Sequence, residues 1–253
     1  MMRIPKSHPR YESLMAREAL VEGVKEGIVV RQGLIAHGRG EAFDYLVGEV
    51  SIEPAVEAEY AAAGRLLRAK HPVISVNGNV AALSAKETVE VAKAVGATIE
   101  VNIFHRTEER VQRIEGRLKS AGAEVVLGLD PDAGIEGLDH PRGLCAKAGI
   151  YSADVVLVPL EDGDRAKALK DMGKVVLTID LNPLSRTSRV SDVTIVDNIT
   201  RCMPKLAIFA TELRDDDERV DRILSEFDNR KNLSDVLNHI ARRLGELESD
   251  SLD

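Results

Sequence analysis

Apolar residues in the middle of the chain come in short uninterrupted runs and do not alternate with polar ones. "HPVISVNGN", "ATIEVNIFH", "AEVVLGLD", "ADVVLVPLEDGD", "GKVVLTIDLNP" and "SDVTIVDN" are rich in β-branched residues and bounded by Gly, Pro, Asn or Asp. Such runs predict strands, and strands apolar on both sides suit a parallel sheet covered by helices on both faces. Between them the period lengthens to that of amphipathic helices. "SAKETVEVAKAVGA" carries Ser84 and Glu87 at capping-box spacing and Gly96 as a stop. "TEERVQRIEGRLKSAG" carries Thr107 as N-cap, Val111, Ile114 and Leu118 on one face, and Gly122 as terminator. This repetition predicts an α/β fold with a Rossmann-like, doubly wound, mostly parallel sheet.

The two ends follow a different pattern. "RYESLMAREALVEGVKEG" and "EPAVEAEYAAAGRLLRAK", the latter with Pro54 near its first helical position, predict an N-terminal helical layer. The glycine-rich stretch "GLIAHGRGEAFDYLVGE" lies between them and reads as a turn leading into a helix. "DDDERVDRILSEFDNRKNLSDVLNHIARRLGELESDSLD" predicts two short amphipathic helices and a frayed acidic tail. Neither an internal repeat nor a long linker divides the chain. The expectation is one α/β domain over 1–253, with a helical layer at 1–70, a strand-helix core at 71–200 and C-terminal helices with the tail at 201–253.

Composition narrows the function. Hydrophobic residues make up 44% of the 253 and aromatics 3%, with no tryptophan, so packing must rest on Val, Leu, Ile and Ala. No apolar run approaches the roughly 20 residues of a membrane span, and the N-terminus lacks the apolar segment of a signal peptide, so a cytoplasmic protein with no membrane partner is expected. Cys145 and Cys202 are too few and too far apart for a disulfide framework and read as buried small hydrophobes. The net charge of −8, from 42 acids against 34 bases, argues against a nucleic-acid partner. Small anions are not excluded, because screening over about 8 Å leaves a bound phosphate governed by its nearest cations.

In open α/β sheets ligands sit beyond the carboxyl ends of strands. The polar tails of the apolar runs are therefore the candidate site: Asn77-Gly78-Asn79, Phe104-His105-Arg106, Glu161-Asp162, Asp180-Leu181-Asn182 and Asp197-Asn198. "DLNPLSRTSR" adds Ser185, Arg186, Thr187 and Arg189, hydrogen-bonding groups suited to a nucleotide. Gly38-Arg39-Gly40 reads as a helix start whose free N–H groups favour an anion, with Arg39 supplying a planar fork for phosphate oxygens. A plain glycine turn with a solvated arginine fits the same letters. Lys6, His8, Arg10 and Arg17 gather further cations near the N-terminus. No P-loop, strand-linked GxGxxG, HExxH or GxSxG pattern occurs, so no protein-held metal and no serine nucleophile is assigned.

Taken together, "IPKSHPRYESL", "GLIAHGRGEAFDYLVGE", "SVNGNVAAL" and "TIDLNPLSRTS" resemble the archaeal phosphopantothenate synthetase family, also named 4-phosphopantoate–β-alanine ligase, from about Ile4 to the C-terminal helices. The resemblance implies a Rossmann-like homodimer of coenzyme A biosynthesis. Such an enzyme joins 4-phosphopantoate to β-alanine through an acyl-adenylate, converting ATP to AMP and pyrophosphate with Mg²⁺. It further implies ATP contacts at Arg17, Arg39, Asp180, Leu181, Asn182, Arg186, Thr187, Asn198 and Ile199, with Arg39 and Arg186 stabilising the charge that develops at phosphorus. For the phosphopantoate, Lys6, His8, Arg10, Asn77 and Asn79 are the expected contacts, and Glu41 or Asp44 is a candidate to orient the β-alanine ammonium. A nicotinamide-dependent oxidoreductase and a non-catalytic nucleotide sensor are the competing readings.

Overall fold

The computed structural model describes residues 4–250. Three helices lead: α1 (Tyr11–Lys25), α2 (Arg31–Val47) and α3 (Glu53–Arg68). Then come β1 (Pro72–Val76), α4 (Gly78–Val95), β2 (Thr98–Val101), α5 (Glu108–Ser120) and β3 (Val126–Leu127). A short antiparallel pair, β4 (Ala133–Gly134) and β5 (Leu144–Cys145), belongs to an excursion before the second half. That half is β6 (Val155–Pro159), α6 (Gly163–Asp171), β7 (Val175–Ile179), α7 (Arg186–Val190) and β8 (Val193–Ile195). The chain closes with α8 (Ile199–Leu213), α9 (Asp217–Glu226) and α10 (Asn229–Asp250).

All six predicted strands form one sheet in the order β3-β2-β1-β6-β7-β8, and every neighbouring pair is parallel. Strand order grows outward from β1 in the first half and outward from β6 in the second. The junction of β1 with β6 is therefore the topological switch point of a doubly wound sheet, where a crevice opens at the carboxyl ends.

Uninterrupted apolar runs make sense in this setting because successive side chains point to opposite faces and both faces are covered. Ile74, Val76, Leu157, Leu177 and Ile179 pack with residues of α3, α4, α5 and α8. Val73, Val156, Val158 and Val176 pack on the other side with α6 and the excursion, including Ile135, Cys145 and Ile150. The helical layer α1–α3 and the caps at Thr107 and Gly96 are as predicted. Both cysteines are buried.

Three expectations are corrected. Gly38-Arg39-Gly40 is neither a turn nor a helix start: α2 runs through it from Arg31, so the backbone N–H groups there belong to the helix. Each glycine weakens a helix by about 1 kcal/mol relative to alanine, and tertiary contact overrides that preference. Gly33, for instance, leaves no room for a Cβ, which would stand 2.3 Å from Asn79 Oδ1. The capping box at Ser84 is not formed either. Asn77 caps α4 six residues earlier than the predicted start, and Ser84 lies at a kink inside the helix (φ −149°, ψ 35°), its buried hydroxyl without a partner among the described residues. Finally, α10 is 22 residues long, because Leu233, Val236 and Ile240 form a stripe that packs with Val47, Ile52, Ala55 and Val196. Of the predicted acidic tail, 251–253 lie outside the described residues.

Candidate active site

A cleft of about 1070 Å³ lies beyond the carboxyl ends of β1, β6 and β7, roofed on one side by α2. Its position at the switch point follows from topology. Asn77 holds the junction together: its Oδ1 accepts from Asn79 N and Val80 N, while its Nδ2 donates to the Pro159 and Leu160 carbonyls, each at 3.1 Å. Leu160 adopts a left-handed conformation (φ 55°), a strained choice for a non-glycine residue, at the point where β6 turns into the cleft.

One half of the cleft is built by the loop after β7 and the start of α8. Asp180 accepts from Asn182 N at 2.9 Å and from the Ser185 hydroxyl, which also caps α7. Burial raises the Asp180 pKa against these hydrogen bonds and the charge of Arg39. Arg186 is largely exposed and pairs with Asp164 at 2.7 Å. Thr187 is buried and donates its hydroxyl to the Glu161 carbonyl, tying the β7 loop to the end of β6. Asn198 caps α8 by accepting from Thr200 N, and its Nδ2 donates to Asp44. Arg39 reaches the same half from α2, with no carboxylate within ion-pair distance among the described residues.

The other half carries the groups that the sequence did not single out. Arg142, nearly buried, pairs with Glu161 at 2.6 Å and lies 3.7 Å from Asp162. Glu161 also pairs with Arg165, which is fully buried and donates to Ser75 at 3.2 Å. Arg110 of α5 donates from Nε to the Ile28 carbonyl at 2.8 Å and from Nη1 to the His105 carbonyl at 2.9 Å. Burial, reinforced by the charge of Arg142, brings the Arg110 pKa down to about 10. His37 of α2 also lines the cleft. Burial, opposed by the charge of Glu41, lowers its pKa, and its Nε2 has no partner among the described residues.

Most predicted contacts converge. Arg39, Asn77, Asn79, Asp180, Leu181, Asn182, Arg186, Thr187, Asn198 and Ile199 all line the cleft, as do Phe104, His105, Glu161 and Asp162. The amide groups of Asn77 and Asn79 are committed to the fold, Asn79 Nδ2 donating to the Gly33 carbonyl at 2.9 Å. Lys6, His8, Arg10 and Arg17 do not line it. Arg17 instead forms a two-pronged contact with Glu41 (Nε to Oε1 2.9 Å, to Oε2 3.1 Å), and Arg10 pairs with Glu41 and Glu49 and stacks on Tyr45. Those cations are neutralised by carboxylates on the side of α2 away from the cleft. Glu41 is consumed by this cluster and Asp44 by Arg201 at 2.5 Å, so neither carboxylate is available to an incoming ammonium. Arg110 and Arg142 escaped notice because Arg110 has the spacing of a solvated helix face and Arg142 sits in an irregular "HPRGL" segment. Among the described residues no three His, Cys, Asp or Glu side chains group as a metal site, and no helix is long and apolar enough to cross a membrane.

Comparison with known proteins bears on what the cleft holds. Residues 54–243 match the model of the phosphopantothenate/pantothenate synthetase family. A 4-phosphopantoate–β-alanine ligase of Thermococcus kodakarensis is 56% identical over 254 residues, covering 100% of this chain and 97% of the relative. The ligase of the same name from Methanosarcina mazei is 53% identical, covering 99% of each chain. A third, from Thermococcus onnurineus, is 55% identical over 98% of this chain and 95% of its own length.

Proposed function

Since the chain belongs to the phosphopantothenate/pantothenate synthetase family, we propose that it is an ATP-dependent ligase that condenses 4-phosphopantoate with β-alanine to 4'-phosphopantothenate in coenzyme A biosynthesis. Full-length similarity to ligases of that name carries the reading. A cleft at the switch point, with a cation at each end, supports it. No observation favours the oxidoreductase or the sensor.

A free carboxylate is a poor electrophile and must be activated. One carboxylate oxygen of 4-phosphopantoate attacks the α-phosphorus of ATP, the bond to the β-phosphate oxygen breaks, and pyrophosphate leaves. The β-alanine amine then attacks the acyl carbon, a proton is lost from nitrogen, and AMP departs with the electron pair of the cleaved C–O bond. The chain's work is to bring anions together. At about 5 Å and an effective dielectric near 20, each like-charge pair costs roughly 3 kcal/mol.

Arg39 and Arg186 are the cations on the β7–β8 side that offset this repulsion and the charge developing at phosphorus. Asp180, Asn182 and Asn198 supply hydrogen-bonding groups for the nucleotide. Mg²⁺ enters with ATP, held mainly by phosphate oxygens and water, with Asp164 and Asp180 the carboxylates on that side. Holding both substrates in one cleft supplies much of the remaining acceleration. The homodimer and the cytoplasmic location belong to the same proposal, and analytical sedimentation tests the first.

Purified protein with ATP, Mg²⁺, 4-phosphopantoate and β-alanine is expected to release AMP and pyrophosphate in equal amounts, with none on omission of either acid component. Release of ADP and phosphate would overturn the adenylate mechanism, and no turnover would overturn the ligase.

A further inference from the structure

We propose that Arg110 and Arg142 form the subsite for the phosphate of 4-phosphopantoate, and that this end of the cleft makes the enzyme select the phosphorylated acid over pantoate. The inference rests on the ligase reading, and adds to it the location and the residues of selection. Charge accounting around the switch point is the starting observation. Arg142 and Arg165 face Glu161 and Asp162, two cations against two anions. Arg110 is the excess positive charge. No carboxylate among the described residues stands within ion-pair distance of it, and its two hydrogen-bond acceptors, the Ile28 and His105 carbonyls, orient the guanidinium without neutralising it.

A partly buried arginine beside a second arginine is unfavourable unless an anion completes the site. Burial and the Arg142 charge lowering the Arg110 pKa agree with that deficit. Arg142 adds a buried Nε with no partner among the described residues. The backbone is shaped to bring the pair to the cleft: a Cβ at Gly78 would stand 2.6 Å from Arg110 Nη2 and 2.3 Å from the Ile28 oxygen, so only glycine lets α4 begin this close to the guanidinium. Phosphate is the anion that suits two guanidinium forks, because its oxygens accept from both and its second negative charge answers the excess cation. The opposite half of the cleft holds the Asp180, Asn182 and Asn198 groups proposed for the nucleotide, so the two phosphorylated substrates occupy different ends and meet between them.

The test compares wild type, Arg110→Met and Arg110→Lys in initial-rate assays with 4-phosphopantoate or pantoate as the acid, and checks each variant's fold by circular dichroism. In Arg110→Met, kcat/KM for 4-phosphopantoate is expected to fall about 10- to 100-fold, with the KM of ATP changed less than about threefold and the low rate with pantoate unaltered. Arg110→Lys keeps the charge without the fork and is expected to fall between wild type and Met. It also decides the matter if the Met variant does not fold, because the carbonyl contacts are then partly replaced. A folded variant that keeps the wild-type preference for 4-phosphopantoate over pantoate overturns the subsite. So does a loss expressed in the ATP KM, which would place the nucleotide at this end. If wild type itself makes no AMP from 4-phosphopantoate, the ligase reading falls and the subsite with it.

Discussion

Glu161→Gln withdraws one negative charge from between two buried guanidinium groups. The Glu161 side chain is 1% exposed and those of Arg165 and Arg142 are 0% and 9% exposed, so water cannot replace the lost partner. Glutamine keeps the volume and one acceptor oxygen, which makes the loss electrostatic and not a cavity effect. Opposite charges about 4 Å apart attract by roughly 4 kcal/mol at an effective dielectric of 20, and Glu161 makes two such pairs. Part of that attraction is offset because a neutral side chain need not be desolvated. Breaking a buried pair by removing one partner costs about 3–5 kcal/mol for this reason. Asp162, 3.7 Å from Arg142, is only a partial substitute. At about 2–4 °C per kcal/mol for a chain of this length, the melting temperature is expected to drop by roughly 6–20 °C. Differential scanning calorimetry at neutral pH measures it directly. A drop of under about 2 °C would refute the reasoning, because it would mean that Glu161 does not carry the charge that holds Arg142 and Arg165.

Glu59 gives a pH prediction of unusual sign. It is fully buried in α3, neither oxygen has a partner among the described residues, and burial, against the charge of Lys205, raises its pKa to about 8. The unfolded chain releases this proton near the ordinary carboxylate value while the folded chain keeps it, so Glu59 lowers stability as pH rises from there to about 8, by at most about 1.4 kcal/mol per pH unit. Glu59→Gln is expected to be the more stable protein at pH 8 and to lose that advantage at pH 5. Urea midpoints that differ equally at both values would remove Glu59 as the titrating group. Arg39→Ala replaces an exposed side chain on a helix and should leave the fold intact. It is expected to lower kcat/KM for ATP more than tenfold, the scale of a lost charge-assisted hydrogen bond; unchanged ATP kinetics would take Arg39 out of the phosphate grip.

The fold was largely legible from local pattern. Each strand shows as its own β-branched run, and α5 shows its N-cap at Thr107 and its core stripe within a dozen residues, because the forces that choose these elements act between near neighbours in sequence. The ends of β1, β6 and β7 could be named as the site on the same grounds, since doubly wound sheets place their crevice there. What the letters could not give was continuity through glycines and the pairing of charges. The run Gly38-Arg39-Gly40 stays helical because α2 packs on Asn79 and Leu181, residues far along the chain. Arg10 and Arg17 look as free as Arg39 in sequence, yet Glu41 takes both, while Arg110 keeps no carboxylate and is brought beside Arg142 from 32 positions away. A cation is a binding group only where no anion already satisfies it. That condition is set by through-space distance in the folded chain, which sequence alone leaves open.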